Sequence, residues 1–90
     1  MNKTFDPSDY LEKFEKEYKE CLEHTQKMLR YLANSYFGSE EDLINLRQVY
    51  REWVDMSIYF NDKVDYYHMG MIQSFLNLLK YMIEMYENQS

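Results

Sequence analysis

Ninety residues suffice for one domain, and a chain this short buries only about 60–65% of the surface its unfolded form exposes, so its core has to be simple. Apolar residues are 46% of the chain and charged residues 29%, which excludes the polar, aromatic-poor signature of disorder. A net charge of −6, from sixteen acidic and ten basic residues, disfavours direct binding to nucleic acid or to an anionic bilayer.

Two Gly and one Pro, set against ten Tyr and seven Met, leave few turns and call for large side chains in the interior. Cys21 is the single cysteine, so an internal disulfide is excluded, and no apolar run follows Met1 as it would in a secretory leader. The longest uncharged stretch, Tyr66 to Leu79, is too short for a membrane span and includes His68, Gly70, Gln73, Ser74 and Asn77. The expected setting is the reducing cytoplasm, with no membrane contact and no cofactor.

The first helix announces its start. Asp6 suits the N-cap, Pro7 the first helical position, and Phe5 with Tyr10 a hydrophobic staple. Leu11, Phe14, Tyr18, Cys21, Thr25, Met28 and Leu32 follow in steps of three and four, and Leu22 and Leu29 widen that stripe. The opposite face carries Glu12/Lys16, Glu15/Lys19 and Glu23/Lys27 in the favourable i,i+4 order, as a solvated face does. Gly38 can close the helix in a left-handed conformation, and Ser39 with Asp42 supplies the next N-cap in a variant capping box.

The second helix places Leu43, Leu46, Tyr50, Trp53, Ser57, Phe60, Val64, Tyr67 and Met71 on one stripe, which makes Trp53 and Tyr50 central core residues. Asn61-Asp62, with Asp65 three residues on, offers a break that the apolar register ignores, and Gly70 offers a second. The expected fold is an all-α, small antiparallel bundle with helices over about 7–37, 40–60 and 63–88. Its alternative is a long helical hairpin that dimerises to cover the overhanging arm. In the last segment Met71, Phe75, Leu78, Met82 and Met85 form the principal stripe, with Ile72, Leu76, Leu79, Ile83 and Tyr86 beside it. So broad an arc suits a central helix or a dimer interface.

Chemistry-bearing residues are few. Glu20/His24 and Asp65/His68 have helical ligand spacing, but the Glu-x-x-His pairs of a di-iron bundle are missing, so solvated contacts explain both pairs better than a metal site. Cys21 lies on the apolar stripe and reads as a buried, unactivated thiol, and two isolated glycines cannot build a phosphate-cradling loop. No enzymatic activity is expected.

The row Glu52, Asp55, Tyr59, Asp62, Tyr66, Met69 and Gln73 is polar except for Tyr59, Tyr66 and Met69. With Phe60 and Tyr67 these three form an aromatic and Met-rich candidate surface, of the composition favoured at protein interfaces. The expected function is therefore a small interaction module or regulatory subunit that binds a protein partner, itself, or both, through Tyr59, Phe60, Tyr66, Tyr67 and Met69. The alternative is an acidic inhibitor of a nucleic-acid-binding enzyme, of the phage or mobile-element type, that presents Asp6, Asp9, Glu12, Glu40, Glu41 and Asp42 as a nucleic-acid mimic.

Overall fold

The computed structural model describes residues 7–35 and 39–88, which form three helices: α1 (Pro7–Ala33), α2 (Glu40–Phe60) and α3 (Tyr66–Glu87). There are no strands among the described residues, and the chain is a small all-α three-helix bundle. The expected cap Asp6, the staple residue Phe5, and Phe37 and Gly38 at the end of the first helix lie outside the described residues.

α1 and α2 run antiparallel, as cross-links between Lys13 and Tyr59, His24 and Glu52, and Tyr31 and Glu41 show. α3 turns back along α2, so that Trp53 meets Phe75 and Arg47 meets Glu87. α2 is thus the central helix. No Cα of α1 comes within 8 Å of one in α3, and these two outer helices meet only through large side chains such as Phe14 on His68.

The helix ends follow local hydrogen bonding. α1 stops at Ala33, short of the expected 37, because Asn34 and Ser35 turn their amides to Tyr31 and Leu32 carbonyls while their side chains bond the Arg30 and Leu32 carbonyls. Ser39 caps α2 as expected, its hydroxyl accepting from the Asp42 amide at 3.1 Å.

The apolar register crosses residues 61–65, yet the chain breaks there and excludes the single long arm of the hairpin alternative. Asp62 takes φ +66°, a left-handed conformation that Asp tolerates better than most residues. Asp65 then caps α3 by accepting from the His68 amide at 3.0 Å, which delays its start to Tyr66. Gly70 does not break α3.

The core consists of Phe14, Cys21, Met28 and Leu32 from α1, Leu46, Val49, Trp53, Met56 and Phe60 from α2, and Ile72, Leu76, Leu79 and Tyr86 from α3. Trp53 is fully buried as expected, whereas Tyr50 is only half-buried at the core's edge. The two stripes of α3 exchange roles. The row through Ile72, Leu76, Leu79 and Tyr86 enters the core, while in the row expected to dominate Phe75 and Met82 are half-buried and Leu78 and Met85 face solvent.

Candidate functional site

The best-organised polar group lies between α1 and α2. Trp53 Nε1 donates to Thr25 Oγ1 at 2.8 Å, and Thr25 Oγ1 in turn donates to the Cys21 carbonyl at 2.7 Å. Thr25 is fully buried, so this relay satisfies two polar side chains that burial would otherwise penalise. Phe75 stacks on the Trp53 indole with centroids 4.4 Å apart, and Tyr18 meets its edge at 5.4 Å. Each group is matched within the chain, and the arrangement fixes the register of the bundle.

Next to it stand Cys21, His24 and Glu52, the residue types of a cysteine triad. Catalysis would require the imidazole between thiol and carboxylate, so that it could take the thiol proton. Here the carboxylate is the hub: Glu52 Oε1 lies 3.0 Å from His24 Nδ1 and 4.0 Å from Cys21 Sγ. Burial, reinforced by the charges of Glu52, Glu17, Glu20 and Asp55, pushes the Cys21 thiol up to about 11. That environment suppresses the thiolate, and Cys21 is a core residue.

Neither histidine gathers metal ligands. His24 pairs with Glu52 across the helices rather than with Glu20, and His68 pairs at 2.6 Å with the N-cap Asp65. Among the described residues no group of three or more His, Cys, Asp and Glu is placed to hold a metal ion.

The five residues expected to form the interaction surface fall in different places. Phe60 is fully buried, its ring edge-on to Phe14, so it belongs to the core and not to the surface. Met69 is partly buried against that core. Tyr59 is pinned at the α1–α2 edge, where its hydroxyl accepts from Lys13 Nζ at 2.9 Å and Lys63 Nζ sits 4.8 Å from its ring centre. Tyr66 and Tyr67, 95% and 75% exposed, stand open at the start of α3, and Tyr59 keeps 39% exposure.

Tyr67 opens a row that periodicity alone did not single out. Along the outer side of α3, Tyr67, Met71, Ser74, Leu78, Tyr81 and Met85 recur in steps of four and three, with Met71 half-buried against the core at the edge of this row. Leu78 is 45%, Tyr81 63% and Met85 38% exposed. No member of the row is charged, although more than a quarter of the chain is. Scattered exposed apolar residues are ordinary, whereas here several fall on one uncharged row. The signal in the sequence was the charge-free stretch Tyr66 to Leu79 together with an apolar arc too broad for one neighbour.

The acidic set is divided. Asp42 is buried, its Oδ2 accepting from Ser35 Oγ at 2.5 Å, and it cannot belong to a surface that mimics nucleic acid. Its Oδ1 has no hydrogen-bond partner among the described residues, and its charge lies in the first turn of α2, where the helix dipole favours an anion. Glu41 accepts from the Tyr31 hydroxyl at 3.2 Å, and Glu12 stands near the far end of α1. Asp6 lies outside the described residues, as does the Asp9 side chain.

Among the described residues no helix is long and apolar enough to cross a membrane. No protein-family model matches the chain, and comparisons with curated proteins and with solved structures find no match either.

Proposed function

We propose that this chain is a small non-enzymatic interaction module, a binding or regulatory subunit that engages a protein through the outer face of α3. The observation that carries this reading is the exposed, uncharged row of Tyr67, Leu78, Tyr81 and Met85 on a helix whose other side is already seated in the core. Aromatic and Met side chains bring large contact area and adapt to a partner's shape.

The triple variant Tyr67→Gln, Leu78→Gln and Tyr81→Gln tests the reading. It is expected to keep its helical circular dichroism, since these side chains contribute little to the core, and to lose association with itself or with partners retained by the intact chain. A folded variant that keeps both its mass and every retained partner contradicts the proposal.

A further inference from the structure

We infer that the outer face of α3 is covered by α3 of a second copy of this chain, packed antiparallel, an inference that rests on reading this face as an interaction surface. The steps between Tyr67, Met71, Ser74, Leu78, Tyr81 and Met85 are four, three, four, three and four, a pattern that reads the same in both directions. When two such helices are laid antiparallel about a twofold axis, Tyr67 faces Met85, Met71 faces Tyr81 and Ser74 faces Leu78. Each aromatic ring then meets a thioether, a favourable contact, and each small residue meets a large one, as interdigitated helices require.

Charge opposes this occupant over most of the surface but not at the row. Each copy carries −6, so two copies repel over most of their surface. The row itself is uncharged, and in this register Lys80 and Glu84 lie level with Ile72 and His68 rather than with like charges. Gly70 and Ser74 are small, and a Cβ added to Gly70 would meet nothing within 4 Å, so a second helix has room to approach.

The area is adequate. At about 150–250 Å² for a large side chain, the exposed parts of Tyr67, Leu78, Tyr81 and Met85 offer on the order of 400 Å². With the rest of the row and its polar rim, the face approaches the ~600–800 Å² that each partner gives to a small specific interface. The pairing is isologous and closed, giving a dimer and not a fibre.

Sedimentation equilibrium on the full chain tests the pairing with Ser74→Lys and Leu78→Glu, two substitutions at positions that face each other only in this register. The intact chain is expected to reach twice its 11.2 kDa mass. Each variant alone should associate at least roughly tenfold more weakly, because a charge is then buried without a partner. An equimolar mixture of the two variants should recover association, because the introduced ammonium on one chain then meets the introduced carboxylate on the other.

Circular dichroism confirms that each variant is folded, and if Leu78→Glu is not, the opposed and more exposed pair Tyr67→Lys and Met85→Glu repeats the test. A single-chain mass at every concentration up to the solubility limit overturns the inference. So does undiminished association of the single variants, or a mixture that fails to recover. If the intact chain is a monomer but Leu78→Glu abolishes binding of a heterologous partner, the interaction reading survives and only the second copy is excluded. If Leu78→Glu alters neither, both fail.

Discussion

The two sides of α3 have the same apolar spacing and opposite fates. Ile72 and Leu79 are fully buried against α2, while Leu78 and Tyr81, one or two residues away in sequence, face solvent at 45% and 63% exposure. On the inner side polar groups are matched nearby: the Trp53 indole has Thr25, and Thr25 has the Cys21 carbonyl. On the outer side Tyr67, Leu78 and Tyr81 stay exposed among the described residues. Periodicity, then, tells which residues share a face, but whether a face is covered is decided by which neighbours meet it, and α1 and α2 leave Tyr67, Leu78 and Tyr81 exposed.

The contrast should be largest in stability. Trp53→Ala is expected to cost about 3–5 kcal/mol, since it empties the space between Tyr18 and Phe75 and leaves Thr25 without its donor. That is a large share of a small domain's stability, and denaturant unfolding would read it as a lowered midpoint. A loss below about 1 kcal/mol would mean that Trp53 is not in the core.

Thr25→Val keeps the shape of the side chain but removes the acceptor for the Trp53 indole N–H and the donor to the Cys21 carbonyl. The expected loss is about 1–3 kcal/mol, the cost of a buried donor left unmade. Thr25→Ser, which keeps the hydroxyl, should be milder. If Val is tolerated as well as Ser, the relay contributes nothing.

On the outer side Gly70→Ala should act in the opposite direction, stabilising the folded chain by about 0.5–1 kcal/mol, because Gly70 sits inside α3 with open space where the methyl would go. A destabilised Gly70→Ala would show that this flank is already closely packed.

The smallest effect is a pH dependence at the edges. The hydrogen bond to Glu52, together with that carboxylate's charge, raises His24 above its ordinary 6.5, so its contribution is complete below that value and is lost as pH rises through the raised one. The His68 amide and ring hold Asp65 below its ordinary 3.8, so its contribution is present above that value and is lost as pH falls through the lowered one. Both groups are exposed, and the slopes should be shallow. Glu52→Gln should flatten the alkaline slope alone, and an unchanged slope would detach it from His24.

Much of the fold was legible because the relevant signals are local. Pro7 opens α1, Ser39 caps α2 and the chain breaks between Phe60 and Tyr66, each where turn chemistry pointed. Less legible was the cap of α3, expected at Asn61-Asp62 with Asp65 three residues on, and formed instead by Asp65 once Asp62 adopts a left-handed conformation.

The surface was harder still. Phe60 and Tyr59 are neighbours in sequence, yet one inserts beside Phe14 and the other is held by Lys13 and Lys63, and both outcomes depend on where α1 lies. Leu78 and Tyr81 were not legible as surface residues because a broad apolar arc does not say which of its edges meets α2. Asp42 looked like part of an acidic patch because no local pattern foretells that Ser35 will cover its carboxylate.

Solvent footprinting by hydroxyl radicals, read residue by residue as protein concentration rises, is the most direct measurement of the outer face. Tyr31, 47% exposed at the α1–α2 edge, serves as a control on the same molecule. If α3 pairs with a second copy, oxidation of Tyr67, Tyr81 and Met85 should fall together with concentration while Tyr31 stays constant and the buried Met28 and Met56 stay protected throughout. If Tyr67, Tyr81 and Met85 are oxidised to the same extent at every concentration, no second copy covers the face and the antiparallel pairing is wrong.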